Sequence, residues 1–280
     1  FWGPYPYRSA FHSTSVEEES TRALQHLRDV LMVEGAQTVA AILLESVVGT
    51  NGILVPPPGY LEGVRTLCDE LGIVLIADEV MSGFGRCGEW FAIDNWRVAP
   101  DLICFAKGVN SGYLPLGGVV ISRRIAETFK TRQFPGGLTY SGHPLACASA
   151  VASINIFEEE GIIDHARHLG RDVIGPELEK LKAKHPSVGD VRGVGVFWAI
   201  ELVKNRETRE PLVPFNPVGD ANAPMLELVG ACKARNLWPF THFNRIHTVV
   251  SVGILLPEKS CELRRISAPS GILIGSPKFT

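Results

Sequence analysis

Four short, uninterrupted apolar runs fix the class of fold open to this chain. They are Val39-Ala40-Ala41-Ile42-Leu43-Leu44, Ile73-Val74-Leu75-Ile76-Ala77, Leu102-Ile103-Cys104-Phe105-Ala106 and Gly118-Val119-Val120-Ile121. A strand that is apolar at every position is covered on both faces, the condition of a parallel sheet packed between helices. The sequence between the runs supplies those helices. Residues 15–34 open with Ser15 as a cap and Glu17, Glu18 and Glu19 at the positive end. Ala23, Leu24, Leu27, Val30 and Leu31 then recur at helical spacing. Residues 61–71 are amphipathic, and Gly72 stops them. Strands alternating with helices predict an α/β fold with a largely parallel sheet.

The pattern changes further along. Residues 144–160 form an Ala-rich helix, and a second helical stretch runs over 162–185. From Val188 the chain reads as short strands with a Gly-mediated bend at Gly193 and Gly195, a helix over 220–236, and further strand-like pieces. This predicts two domains, residues 1–160 and a smaller α+β domain over 161–280 that includes the linking helix.

Composition narrows the function classes. The 280 residues are 45% hydrophobic and 20% charged, enough apolar material for a sizeable core. The net charge of −3 argues against nucleic acid or an anionic membrane as partner. No apolar run is long enough to span a bilayer. The six cysteines are dispersed and form no C-x-x-C pair, as expected of reduced thiols in a cytoplasmic protein. The eight histidines do not group as metal ligands; His165 and His168 read as a solvated helix face.

Chemistry gathers at the carboxyl ends of strands in open α/β sheets. Glu45, Asp78 and Lys107 each follow an apolar run there. A lysine held at such a rim and shielded from water is a usable nucleophile. A fixed carboxylate beside it suits a cationic ring nitrogen, and the two together are what pyridoxal phosphate requires. Spacing alone leaves a surface lysine and a helix-capping aspartate equally open. The run Gly83-Phe84-Gly85-Arg86-Cys87-Gly88 also satisfies G-x-G-x-x-G after a strand. A dinucleotide site needs a helix opening inside that motif, and Glu89-Trp90-Phe91 reads as loop.

The surrounding text is more specific. Ala77-Asp78-Glu79-Val80-Met81-Ser82-Gly83-Phe84-Gly85-Arg86 is followed by Phe105-Ala106-Lys107-Gly108, Ser111-Gly112-Tyr113, Pro115-Leu116-Gly117-Gly118, Thr139-Tyr140-Ser141-Gly142-His143-Pro144 and Arg192-Gly193-Val194-Gly195. This resembles the cofactor signature of the class III pyridoxal-phosphate-dependent aminotransferases, over about residues 1–245. The resemblance implies fold type I, with residues 1–160 a partial cofactor-binding large domain. It implies Lys107 as the Schiff-base lysine and later proton carrier, Asp78 as partner of the pyridine nitrogen, and Val80 packing under the ring. Thr139 would reach the cofactor phosphate of the other subunit of a homodimer with shared active sites. Glu45 would lie on the substrate side. The partners implied are a small amino donor and a 2-oxo acid acceptor.

Two positions depart from the family pattern. Met81 stands where many relatives carry a Gln that bonds the cofactor's phenolic oxygen, and Phe240 where pyruvate users often carry a carboxylate-binding arginine. Arg245 is the nearby candidate for that role. The combination looks most like the ω-amino acid, taurine or amine:pyruvate branch. A 4-aminobutyrate transaminase or glutamate-semialdehyde aminomutase is the alternative within the family. Outside it stands a catalytically incomplete fragment or a non-catalytic partner, because the family's Gly-Ser phosphate turn and ring-stacking aromatic precede the matched region and neither motif appears before Ser15. The start at Phe1-Trp2 fits an N-terminally truncated chain. The sequence from about residue 247 reads as an atypical tail.

Overall fold

Ser15 does open a helix: its side chain accepts from the Glu18 amide at 3.1 Å, and α1 runs Val16–Glu34. The computed structural model describes residues 1–249. The tail expectation beyond that point lies outside the described residues. β1 (Ala41–Glu45), α2 (Tyr60–Leu71), β2 (Val74–Asp78), β3 (Leu102–Phe105) and β4 (Gly118–Ile121) follow, with a short α3 (Arg123–Thr128) that no periodicity announced. Gly72 ends α2 in the left-handed conformation, its amide on the Cys68 carbonyl. α4 spans Pro144–Glu159.

The chain forms two compact units. The first holds Phe1–Gly49, Leu54–Gly85 and Glu89–Gly161; the second holds Thr50–Ile53, Arg86–Gly88 and the described chain from residue 162. In the first unit the sheet order is β1-β2-β3-β4. The β1, β2 and β3 pairings are parallel, and β4 runs antiparallel to β3. A parallel return needs a crossover of a dozen or more residues, usually helical. The link from β3 to β4 holds only one 3₁₀ turn, Lys107–Asn110, so β4 folds straight back. Its residues Val119, Val120 and Ile121 are about half exposed, against the doubly covered strand that the apolar run predicts. The core of this unit packs Leu27 and Leu31 of α1 and Leu61 and Val64 of α2 against Leu75 and Ala77 of β2.

Asp101 ties the sheet to its helices. Its carboxylate accepts from the Leu75 amide (2.9 Å), from Arg65 of α2 (3.0 Å) and from Arg124 of α3 (2.6 Å). Burial alone would raise its pKa. The Arg124, Leu75 and Arg65 donors reverse that and hold it below the usual aspartate range.

The second unit contains α5 (Ile162–His168), a π turn (Leu169–Ile174), α6 (Gly175–Lys184), β5 (Val188–Val194), β6 (Phe197–Asn205), β7 (Glu210–Pro211), α7 (Ala223–Lys233), β8 (Phe240–His242) and β9 (Arg245–Val249). The single helix expected over 162–185 is thus interrupted by the π turn, in which the Gly175 amide reaches back to the Gly170 carbonyl. The sheet order is β5-β6-β9-β8, with β7 on β6. Gly195, at φ 58°, makes the bend before β6. A Cβ there would lie 2.5 Å from the Cys87 carbonyl carbon, so only glycine fits. No helix among the described residues is long and apolar enough to cross a membrane.

Candidate active site

Parallel pairing sets the site. Glu45, the last residue of β1, is in register with Asp78, the last residue of β2, and Asp78 is in register with Cys104 of β3. Lys107 follows Cys104 by one short step, just past the end of β3. The structure therefore gathers Glu45, Asp78 and Lys107 at one rim of the first unit's sheet.

Each of these groups has a local cause for its position. The Asp78 Oδ1 accepts from the Val80 amide at 3.0 Å, a side-chain turn that orients the carboxylate and fixes the start of the segment after β2. The Glu45 Oε2 accepts from the Gly49 amide at 2.8 Å. A Cβ on Gly49 would meet the Met81 sulfur at 2.3 Å, so the thioether lies over the glycine that holds Glu45. Lys107 has φ 47°, in the left-handed region, and its side chain is exposed. The shielded lysine expected from sequence is not what this chain alone presents. The strand stops at Phe105, and the left-handed turn carries Lys107 off the sheet. That turn is anchored by Asn110, which is buried and donates to the Leu114 carbonyl (2.8 Å) and the Ser149 hydroxyl of α4 (3.0 Å).

Thr139 and Arg245 do not belong to these strands. Thr139 is exposed in an irregular segment before α4. Arg245 belongs to the second unit. Its Nε faces the fully buried Glu201 carboxylate at 3.2 Å, and one Nη donates to the Asn51 carbonyl at 2.8 Å. Arg192 joins the same carboxylate at 2.9 Å and donates twice to the Gly52 carbonyl. The run 83–88 forms turns that close on the following loop, with the Phe84 and Gly85 amides donating to the Trp90 and Glu89 carbonyls.

Sequence reasoning passed over Glu79. It is fully buried, and its carboxylate accepts four hydrogen bonds, from the hydroxyls of Ser46 and Ser82 and the amides of Ala92 and Ile93. An acidic residue directly after a strand-end aspartate was the available signal.

Known proteins resemble this chain over most of its length. The family model described as aminotransferase class-III matches residues 4–226. A putrescine–pyruvate aminotransferase of Pseudomonas aeruginosa is 42% identical over 197 residues, 70% of this chain and 43% of that protein. A taurine–pyruvate aminotransferase of Bilophila wadsworthia is 34% identical over 249 residues, 87% of this chain and 54% of that protein. Among solved structures, a taurine:2-oxoglutarate aminotransferase of Bifidobacterium kashiwanohense, in complex with PLP and glutamate, superposes with a TM-score of 0.86 at 40% identity. That match covers 95% of this chain and 59% of the other. The chain spans about half the length of the curated relatives it matches.

Proposed function

Because this chain belongs to the class-III aminotransferases, we propose that it carries the catalytic rim of a pyridoxal-phosphate-dependent transaminase. That enzyme moves an amino group from an ω-amino acid or amine to a 2-oxo acid, with pyruvate the preferred acceptor. The observation that supports it most is the register of Glu45, Asp78 and Cys104 with Lys107 just beyond.

The residues at the rim fit the cofactor by their chemistry. A carboxylate, Asp78, ends one strand, and an amine, Lys107, lies just past the end of its neighbour. Pyridoxal phosphate, when bound, supplies an electron sink for the electrons released at the substrate carbon. The chain's residues supply the rest. Lys107 would hold the cofactor through Nζ and, as a free amine, would carry the proton at the reacting carbon. Asp78, its carboxylate oriented by the Val80 amide, would hold the ring nitrogen in its protonated form. Val80 would pack under the ring. Glu45 is assigned to the substrate side, and Thr139 to the phosphate across a homodimer; Arg245, held by Glu201 and the Asn51 carbonyl, is not. The first unit then acts as the cofactor domain and the second as the small domain. Five described cysteines are free thiols, which supports assignment to the cytoplasm.

A second reading concerns the acceptor. The solved relative named as a taurine:2-oxoglutarate aminotransferase favours 2-oxoglutarate, whereas the putrescine and taurine relatives are named for pyruvate. Adding pyridoxal phosphate should give the visible absorbance of a lysine-bound pyridoxal, and Lys107→Ala should abolish it. Absorbance that survives Lys107→Ala sinks the assignment of the lysine. Activity with 2-oxoglutarate and none with pyruvate sinks the pyruvate reading.

A further inference from the structure

Glu79 sits where three strand ends meet. Its Oε1 accepts from the Ser46 hydroxyl (2.5 Å) and the Ile93 amide (2.9 Å); its Oε2 accepts from the Ser82 hydroxyl (2.7 Å) and the Ala92 amide (2.9 Å). Its own amide donates to the Cys104 carbonyl at 2.9 Å. Ser46 directly follows Glu45, Glu79 directly follows Asp78, and Cys104 lies just before Lys107. One residue thus ties together the ends of β1, β2 and β3.

We propose that Glu79 is the positioning residue of this rim: its buried carboxylate fixes where Glu45, Asp78 and Lys107 stand relative to one another. The proposal rests on the transaminase reading for its purpose, though not for its geometry. Burying a carboxylate among neutral donors only is costly, and burial pushes the Glu79 pKa upward while the four donors pull it back. A group held at that cost, with two hydroxyls and two amides as its partners among the described residues, is better explained by what it aligns than by what it stabilises. Each carboxylate oxygen receives one hydroxyl, which can rotate to accept instead, and one backbone amide, which cannot. An amide side chain at position 79 would therefore set its NH₂ against the Ala92 or Ile93 amide.

The test compares the wild-type chain with Glu79→Gln and with Glu19→Gln. Glu19 is equally buried in the same unit and accepts from the Tyr5 amide and the Ser9 hydroxyl, away from the rim. Two amides report the rim directly: Gly49, bonded to Glu45, and Val80, bonded to Asp78. Glu79→Gln should speed hydrogen exchange at both by about tenfold, with Glu19→Gln leaving them unchanged. Glu79→Gln should also weaken pyridoxal phosphate binding by about tenfold and shift the pH midpoint of the visible band, whereas Glu19→Gln lowers only the melting temperature. Unchanged exchange at Gly49 and Val80 in Glu79→Gln, or equal acceleration in Glu19→Gln, overturns the proposal. A wild-type chain with no Lys107-dependent absorbance would overturn the functional reading instead and leave the exchange result to decide this one. If Glu79→Gln does not fold, Glu79→Asp keeps the charge on a shorter arm and is read by the same two amides.

Discussion

His247 is 3% exposed, and neither of its ring nitrogens has a hydrogen-bond partner among the described residues; its ring meets Phe240 edge-on at 5.3 Å. Burial, then the charges of Arg245, His242 and Arg192, push its pKa from 6.5 down to about 4. The unfolded chain takes up a proton below about pH 6.5 that the folded chain refuses until about pH 4. The associated stability is therefore complete above the unfolded value and falls as pH drops through that window, by up to about 3 kcal/mol. His247→Phe should flatten the dependence, measured as the urea midpoint of the second unit at pH 7.5 and pH 5. The places of Asp78 at the end of β2 and of Lys107 just past β3 were legible from sequence because each follows an apolar run. Glu79 was not, because its hydroxyl partner Ser46 lies past the end of β1 and its amide partners Ala92 and Ile93 open the 3₁₀ turn Ala92–Trp96. Arg245 illustrates the reverse: its sequence position suggested a ligand contact, and its engagement with Glu201 and Asn51 appears only once β6 and β9 pair.

Elements were legible to the extent that their own residues decide them. α1 and α2 carry their caps and stripes in sequence, and both appear within a residue of where these signals put them. The π turn at Leu169–Ile174 had no such signal, because what shapes it lies elsewhere in the second unit. A Cβ on Gly170 would stand 1.9 Å from the Gly195 carbonyl oxygen, part of a backbone that cannot yield. Gly170→Ala should cost about 3 kcal/mol or more in unfolding free energy. Gly230, exposed within α7 with nothing within 4 Å of an added Cβ, is the contrast. Gly230→Ala should stabilise by about 0.5–1 kcal/mol, because only helix propensity changes there. Paired denaturant curves read both. The direction of β4 was likewise hidden: apolar runs announce burial, and the antiparallel return goes with a link after β3 that holds one 3₁₀ turn and no crossover helix.

At the scale of the whole molecule, the sheet of the first unit has two open edges among the described residues, β1 and β4. Neighbouring residues on a strand point to opposite faces, so the half-exposed Val119 and Val120 leave both faces of β4 uncovered there. Such an edge is a template for pairing with another chain. The 280-residue chain should therefore self-associate as its concentration rises, and Val120→Lys should reduce the light scattered at a given concentration. The α/β class was readable from the runs alone; the membership of each unit was not. Thr50–Ile53 and Arg86–Gly88 are spliced into the second unit from far upstream. The carbonyls of Asn51 and Gly52 receive Arg245 and Arg192, and the Arg86 carbonyl receives the Val196 amide. A scissile point between Gly161 and Ile162 would thus divide the polypeptide without dividing the structure. A piece expressed from Ile162 onward would inherit two arginines stripped of their carbonyl acceptors and a bend at Gly195 with nothing to bend around. Excision, permutation or fusion of this molecule has to follow its spatial seams rather than its linear order.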